Sequence, residues 1–165
     1  MAEKPTIYFF HGLESGPHGR KYHRLTDDFD VVSPDFEGMM DIWNRLEKAE
    51  RITRQMSDLV VVGSSFGGLL AALLYSRYPE RFHGYVLMAP ALRRGMVDEV
   101  EQMPENAVVI HGTRDEVIPI DEVREFCEPF GIEMIEVDDD HPLANSMEVM
   151  VESVNRVLNR QERGS

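Results

Sequence analysis

The sequence predicts an α/β fold in which a mainly parallel sheet of about six strands is covered by helices on both faces. Apolar runs rich in Val, Ile, Leu and Phe recur along the chain without polar alternation, which is typical of strands buried on both faces. Helical segments separate these runs, and the loops between them are short. With 165 residues, we expect one domain over 1–165, with its core at about 6–158 and a frayed tail at 159–165.

Local sequence features predict each strand and helix in the first half of the chain. The apolar run 6–10 predicts the first strand, and 19–28 has a helical pattern. A second strand at 30–33 is closed by Pro34, and a charged helix at 41–53 carries apolar residues at Ile42, Leu46 and Ala49. The β-branched run 59–62 predicts the third strand, and the Ala/Leu-rich stretch 66–78 predicts its helix, which Pro79 ends.

The second half continues the alternation. We predict strands at 85–89, 107–111 and 133–137, the first of them stopped by Pro90. Between the last two strands, 121–130 predicts a helix that ends at Gly131. The long amphipathic stretch 142–158 predicts the final helix, with Pro142 in its first turn.

Composition and charge exclude several classes of partner. The formal charge of −13 and the pI near 4.8 disfavour nucleic acid and anionic membranes as partners, because like charges repel. No apolar run is as long as a membrane span, and residues 1–5 do not resemble a signal peptide. The only cysteine, Cys127, has no motif around it and is interpreted as a packing residue. We therefore expect a cytoplasmic protein.

Polar residues collect after the strands. His11 and Gly12 follow the first strand, Ser65 follows the third, 112–116 follow the fifth and 138–141 follow the sixth. Because ligands of parallel sheets sit outside the carboxyl ends of the strands, these residues are predicted to share one edge.

The segment 63–67 matches the pattern G-x-S-x-G, with Ser65 at its centre. In a nucleophile elbow, a sharp turn from strand to helix exposes the serine Oγ above the sheet. The neighbours at −2 and +2 pack too closely for side chains, which explains Gly63 and Gly67. The alternative is a strand–helix junction that glycines merely soften.

Four motifs together resemble the α/β-hydrolase superfamily: Phe10-His11-Gly12, the segment 63–68, the segment 111–119, and Asp140-His141-Pro142. The loop His-Gly-Leu-Glu-Ser-Gly-Pro and the elbow Gly-Ser-Ser-Phe-Gly-Gly are similar to small lidless bacterial esterases of the YqiA/YcfP-like group. The resemblance covers about residues 6–158 and implies a trimmed fold without a cap domain. Larger members open with an antiparallel hairpin, whereas only five residues precede the first strand of this chain.

The resemblance and the chemistry of acyl transfer assign roles. Ser65 is the predicted nucleophile and His141 the base that takes its proton and later donates it to the leaving group. Asp115 stands in the family position of the acid that orients the histidine. The backbone N–H groups of Leu13 and Phe66 are the predicted oxyanion hole.

Other interpretations remain open at several positions. Glu116 is a rival acid beside Asp115. The acidic run 138–140 invites a metal site, but consecutive side chains point in different directions, so we interpret it as a solvated loop and predict no metal and no cofactor. His11 is interpreted as a residue that shapes its loop.

The function predicted from these residues is hydrolysis of small carboxylic esters or thioesters through an acyl-enzyme on Ser65. The alternatives are a catalytically idle protein of this fold that binds a ligand or partner, and an amide or peptide hydrolase. Only 90–106 separate the fourth and fifth strands, enough for one short helix, so we expect an open site for small substrates. The oligomeric state is left undetermined.

The last hypothesis concerns a rim of positive charge around the predicted site. Cations lie near the predicted site although the chain is acidic: Arg93, Arg94, Arg20, Lys21, Arg24 and Arg114. Arg93 and Arg94 are the predicted substrate-binding pair, because a guanidinium matches carboxylate and phosphate with two parallel hydrogen bonds. The alternative is that these are ordinary surface cations.

Overall fold

Six strands form one parallel sheet in the computed structural model, which describes residues 3–160. The strands are β1 (Thr6–Phe10), β2 (Asp30–Val32), β3 (Leu59–Ser64), β4 (Phe82–Met88), β5 (Ala107–Gly112) and β6 (Glu133–Val137). They lie in the order β2-β1-β3-β4-β5-β6, and every neighbouring pair is parallel. The predicted fold class is confirmed.

Helices cover both faces of this sheet. They are α1 (Arg20–Thr26), α2 (Ile42–Ile52), α3 (Phe66–Arg77), α4 (Ile120–Cys127) and α5 (Met147–Asn159). The apolar residues of α1 and α5 pack on one face, and those of α2, α3 and α4 pack on the other. Helix α3 is buried along most of its length, which explains why it is apolar all round rather than amphipathic. No helix within residues 3–160 has the length and apolar character that crossing a membrane requires.

The carboxyl end of β1 meets that of β3 where the chain direction across the sheet reverses. From β1 the chain goes to β2 at one edge, and it then returns to place β3 on the other side of β1. The loops that leave two neighbouring strands in opposite directions open a crevice at such a point. Here those loops carry His11, Gly12 and Ser65.

The prediction for the last helix is wrong at its start. Helix α5 begins at Met147 rather than at Pro142, and residues 140–143 form a turn in which the Leu143 N–H donates to the Asp140 carbonyl at 3.1 Å. Leu143 has φ of 54°, which a helix cannot contain. The amphipathic pattern runs on through this turn because Leu143 is fully buried.

The segment between β4 and β5 contains no helix within the part of the chain described, although its length would allow a short one. It packs instead as irregular chain against the core, with Leu92, Val100 and Met103 buried. Hydrogen bonds to Ser76 fix it further, since the Glu101 N–H donates to the Ser76 Oγ at 2.8 Å. The segment therefore covers α3 rather than forming a lid, and the fold is lidless.

The predicted frayed tail divides into two parts. Asn159 ends α5, and Arg160 donates from its Nη2 to the Glu133 Oε1 at 3.0 Å. Asn159 is therefore helical but exposed, whereas the Arg160 side chain is held against β6. Residues 161–165 lie outside the described residues.

Candidate active site

Ser65 occupies the turn between β3 and α3 with an unusual backbone conformation. Its φ of 54° and ψ of −112° lie outside the regions that most side chains adopt. The surrounding chain enforces this conformation: the Ser65 N–H donates to the Met88 carbonyl at 2.9 Å, and the Ser65 carbonyl accepts from the Ala91 N–H at 2.9 Å. The turn is the geometry that a nucleophile elbow requires.

The elbow leaves no space for a side chain two residues before or two residues after Ser65. A Cβ atom added to Gly63 would lie 2.6 Å from the Gly67 carbonyl oxygen. One added to Gly67 would collide with the Phe10 carbonyl oxygen. The steric reason given for the two glycines therefore agrees with the structure.

Ser65, His141 and Asp115 form a continuous hydrogen-bonded chain. The Ser65 Oγ lies 3.0 Å from the His141 Nε2. The other ring nitrogen of His141, Nδ1, lies 2.7 Å from the Asp115 Oδ2. These three residues come from three separate loops at the carboxyl edge of the sheet. This is the arrangement that activates a serine hydroxyl through an oriented histidine.

Asp115 rather than Glu116 reaches the histidine. The Asp115 side chain is 0% exposed, whereas Glu116 is exposed. Its Oδ1 accepts from the backbone N–H groups of Val117 at 2.9 Å and Ile118 at 2.8 Å, which leaves Oδ2 aimed at His141. The carboxylate is therefore fixed before any substrate arrives.

A second histidine beside Asp115 is His111, which is fully buried and to which sequence analysis assigns no role. Its Nε2 lies 2.8 Å from the Ile118 carbonyl and 3.2 Å from the Asp115 Oδ2. Because a carbonyl only accepts, this Nε2 carries the proton, and it lies close enough to support the carboxylate. Burial lowers the pKa of His111, so it is held neutral. Its isolated position in the sequence carried no signal of this contact.

Asp139 corrects the interpretation of residues 138–140 as a solvated loop. It is buried, at 2% exposure, while Asp138 is exposed. The Asp139 Oδ2 accepts from the Ser146 Oγ at 2.8 Å and from the Asn145 N–H at 3.0 Å. Burial acts to raise the pKa of Asp139, but these hydrogen bonds outweigh it and lower the pKa. Asp139 thereby ties the loop of His141 to the start of α5.

The predicted oxyanion donors are both available. The N–H of Phe66 opens α3, and the N–H of Leu13 lies in the loop after β1. Neither N–H has a protein acceptor among residues 3–160. They are therefore free to donate to a developing oxyanion, which is the role predicted for them.

His11 shapes this loop, as its interpretation requires. It is 1% exposed, and its Nε2 lies 2.8 Å from the Phe36 N–H. Because that N–H can only donate, Nε2 accepts and Nδ1 carries the proton, which it donates to the Gly12 carbonyl at 2.8 Å. Burial lowers the pKa of His11, in agreement with a neutral ring.

The predicted rim arginines are already paired with carboxylates. Arg94 donates from its Nε to the Glu125 Oε2 at 2.8 Å, and the Arg93 Nε lies 3.7 Å from the Glu122 Oε2. Arg24 and Arg114 are paired in the same way with Glu148 and Asp138. The structure does not bring Arg93 and Arg94 into hydrogen-bond contact with Ser65 or His141, and their substrate-binding role stays a prediction.

Two cations line a cavity next to the loop of His141. The cavity has a volume of about 400 Å³, and Ser64 lies in its wall. Arg20 and Lys21 line it together with Asp140. Lys21 donates from its Nζ to the Pro142 carbonyl at 2.8 Å, and burial, aided by Arg20, lowers its pKa to about 8. The site therefore has beside it a cavity of small-molecule size, which charged and apolar side chains line together. Residues 3–160 hold no group of three or more His, Cys, Asp or Glu arranged to bind a metal.

Comparisons with known proteins place the chain in a family. The family model described as serine aminopeptidase, S33, matches residues 11–106, which include Ser65 and the loop after β1 but end before Asp115 and His141. No curated protein matches the chain in sequence.

Solved structures share the fold at low sequence identity. A protein of Xanthomonas campestris pv. campestris, described as a hydrolase of the alpha/beta superfamily, aligns with a TM-score of 0.80 at 23% identity, covering 95% of this chain and 98% of its own. Est1E from Butyrivibrio proteoclasticus aligns with a TM-score of 0.75 at 14% identity, covering 94% and 87%. Mouse alpha/beta hydrolase domain-containing protein 10 aligns with a TM-score of 0.78 at 14% identity, covering 96% and 92%.

The narrower resemblance to the YqiA/YcfP-like group is not tested by these matches and stays a prediction. The family match covers more than half of the 165 residues, and the matched structures share the whole fold. The chain therefore belongs to the serine aminopeptidase S33 family of the α/β-hydrolase superfamily, and it is a hydrolase.

Proposed function

We propose that this hydrolase cleaves small carboxylic esters or thioesters through an acyl-enzyme on Ser65. His141 takes the Ser65 proton on Nε2 as Oγ attacks the carbonyl carbon, and Asp115 stabilises the imidazolium that forms. The N–H groups of Leu13 and Phe66 donate to the oxyanion of the tetrahedral intermediate. His141 then protonates the leaving alcohol or thiol, and water repeats the sequence to release the acid.

The observation that carries this proposal is the hydrogen-bonded chain from Ser65 through His141 to Asp115, with distances of 3.0 and 2.7 Å. An idle protein of this fold has no need to hold Ser65 at φ of 54° or to aim a fully buried carboxylate at the histidine. Both features cost free energy of folding that ligand binding alone does not require.

The surroundings of the site favour small substrates. The segment that carries a lid in other folds of this kind packs against α3, so no apolar wall rises over Ser65 from it. The cavity beside the His141 loop holds about 400 Å³ and is lined by Arg20, Lys21 and Asp140 among others. A cavity of this volume suits a small acyl group better than a long fatty acyl chain.

Amide or peptide hydrolysis is the second candidate, because the matching family model carries the description serine aminopeptidase. The same groups can attack an amide, but the amine leaves less readily than an alkoxide or thiolate. Amide cleavage therefore depends more strongly on proton donation by His141. An aminopeptidase also needs a site for the free amino terminus, for which Asp140 is the carboxylate nearest to His141 in the chain.

A substrate panel on the purified protein tests the proposal. Matched acetyl and butyryl compounds that differ only in the scissile bond, as ester, thioester or anilide, give kcat/KM for each chemistry, with Ser65→Ala as the blank. The proposal expects hydrolysis of esters and thioesters well above anilides. Preference for an aminoacyl anilide with a free amino group establishes the peptidase instead, and no turnover of any compound with intact folding refutes both.

A further inference from the structure

Arg45 is among the largest fully buried side chains of residues 3–160, with 0% exposure, and the family motifs do not include it. It lies in α2, between that helix and the loop after β1. No carboxylate of residues 3–160 lies within ion-pair distance of its guanidinium. A buried charge without a counter-ion is costly, so the protein must gain something specific from it. Burial lowers the pKa of Arg45 to about 10, which keeps it charged at neutral pH.

The guanidinium is held by three backbone carbonyls. Nε donates to the Met39 carbonyl at 2.8 Å, Nη1 donates to the His11 carbonyl at 2.8 Å, and Nη2 donates to the Gly12 carbonyl at 3.0 Å. A planar fork of donors can reach three acceptors at fixed angles, whereas the ammonium of a lysine cannot. Two of the three carbonyls belong to the loop that follows β1. Arg45 therefore fixes the path of this loop.

The Gly12 carbonyl belongs to the same peptide group as the Leu13 N–H. This carbonyl accepts from the Arg45 Nη2 and also from the His11 Nδ1, at 3.0 and 2.8 Å. Hydrogen bonds to a carbonyl polarise its peptide group and strengthen the N–H as a donor. A charged donor does so more strongly than a neutral one. The two hydrogen bonds to the Gly12 carbonyl therefore fix the direction of the Leu13 N–H and strengthen it as a donor.

The second oxyanion donor is linked to the same side chain. The guanidinium carbon of Arg45 lies 5.0 Å from the centre of the Phe66 ring, within the range of a cation–π contact. The N–H of Phe66 is the other proposed donor. Arg45 therefore contacts the Gly12–Leu13 peptide through its carbonyl and Phe66 through its ring, and it forms no hydrogen bond to Ser65 or His141.

We propose that Arg45 is a positioning residue of the oxyanion hole, which it preorganises through the Gly12–Leu13 peptide. This inference rests on the proposed function, because it requires that an oxyanion forms at Ser65. A donor that is fixed and polarised in advance stabilises the charge that develops in the transition state and contributes little to ground-state binding. Loss of Arg45 therefore lowers kcat and leaves KM nearly unchanged.

Two variants and a matched control test this role. Arg45→Lys keeps the charge and loses the fork, and Arg45→Met keeps the length and loses both. The control is Arg81→Met, because Arg81 also binds a carbonyl, that of Glu50 at 3.0 Å, and lies 3.8 Å from the Tyr78 ring, but at the opposite end of the sheet. The melting temperature of each variant shows how much stability it has lost.

The readouts are steady-state kinetics on a short ester and inhibition by a boronic acid, which adds to Ser65 as a tetrahedral adduct with an oxygen in the oxyanion hole. Removal of one oxyanion donor costs on the order of 10²–10³ in kcat, so its misalignment should cost roughly 10- to 100-fold. We expect this loss for Arg45→Met and a smaller one for Arg45→Lys. The boronate inhibition constant should rise by the same factor, whereas Arg81→Met changes neither.

Several results would overturn the inference. If Arg45→Lys keeps wild-type kcat and boronate affinity, or if its losses match those of Arg81→Met at equal melting temperature, Arg45 is only a structural residue. A rise in KM with unchanged kcat contradicts it as well. If Arg45→Met fails to fold, the kcat and the boronate affinity of Arg45→Lys decide between a positioning role and a purely structural one. A wild-type protein that neither hydrolyses esters nor binds the boronate refutes the proposed function itself, and the inference with it.

Discussion

Replacement of Asp115 by Asn changes one atom at the centre of the site. The Asp115 Oδ1 accepts two backbone N–H groups, from Val117 and Ile118, so the amide oxygen of an asparagine must take this position. Its NH2 group then faces the His141 Nδ1 in place of Oδ2, which lies at 2.7 Å in the wild type. An NH2 group cannot accept, so His141 must place its proton on Nε2. In that tautomer, it cannot take the proton of Ser65.

The size of the loss in kcat follows from the chemistry of the triad. The wrong tautomer removes the general base, and the imidazolium loses its counter-charge. In a triad of this kind, that change lowers kcat by about 10⁴. At about 1.36 kcal/mol for each tenfold step, the barrier rises by about 5 kcal/mol. The asparagine NH2 group loses the contact of Oδ2 with the His111 Nε2–H, but that N–H still donates to the Ile118 carbonyl. The fold should therefore survive, because the asparagine oxygen also keeps both backbone hydrogen bonds.

The assay is kcat for a short chromogenic ester, measured on Asp115→Asn and on Glu116→Gln as the matched control. Glu116 is exposed, so its amide variant should remain within about twofold of the wild type. The reasoning is refuted if Asp115→Asn keeps more than about a tenth of the activity, or if Glu116→Gln loses more than Asp115→Asn.

Three further predictions follow from the same structure. Acyl esters of two to four carbons should have the highest kcat/KM, because no lid supplies apolar surface; efficiency that rises out to long fatty acyl chains would contradict this. Burial lowers the pKa values of His11 and His111, so the unfolded chain binds more protons than the native one. Their stabilisation is complete above about pH 6.5 and is lost as pH falls below it. The urea midpoint should therefore decrease between pH 7.5 and 5.5, and a constant or rising midpoint would count against neutral buried histidines. At low ionic strength an anionic ester should gain over a neutral one of equal length, and Arg93→Ala/Arg94→Ala should remove the gain. Their pairing with Glu122 and Glu125 should keep this gain small, and equal salt dependence for both esters would leave the two arginines as surface residues.

The parts of the fold that follow local rules could be predicted from the sequence. Strands buried on both faces have continuous apolar runs, and β5, which is buried along its whole length, begins at Ala107 as its run predicts. The elbow was predictable because a close approach of backbones requires Gly63 and Gly67, and glycine is a local signal. Ser65, Asp115 and His141 were singled out by the resemblance to the α/β-hydrolase superfamily, in which the same residue types follow strands in the same chain order.

The parts that depend on contacts between distant residues could not be predicted. Leu143 continues the periodicity of α5, yet it is buried in a turn with positive φ, so the helix starts five residues later than its pattern indicates. Asp139 looks like its acidic neighbours, and only the fold shows that Ser146 and Asn145 donate to it. In the sequence, Arg45 is indistinguishable from other charged residues of an amphipathic helix. No neighbouring residue indicates that its guanidinium binds three backbone carbonyls.

Covalent labelling tests the central claim most directly. A fluorophosphonate probe, followed by intact mass and peptide mapping, should add one label per chain on Ser65. Ser64→Ala should label as the wild type does, because the Oγ that contacts the His141 Nε2, at 3.0 Å, belongs to Ser65. Ser65→Ala should not label, with its fold intact by circular dichroism. Labelling that survives in Ser65→Ala and disappears in Ser64→Ala, or a folded wild-type protein that takes no label, would contradict the account.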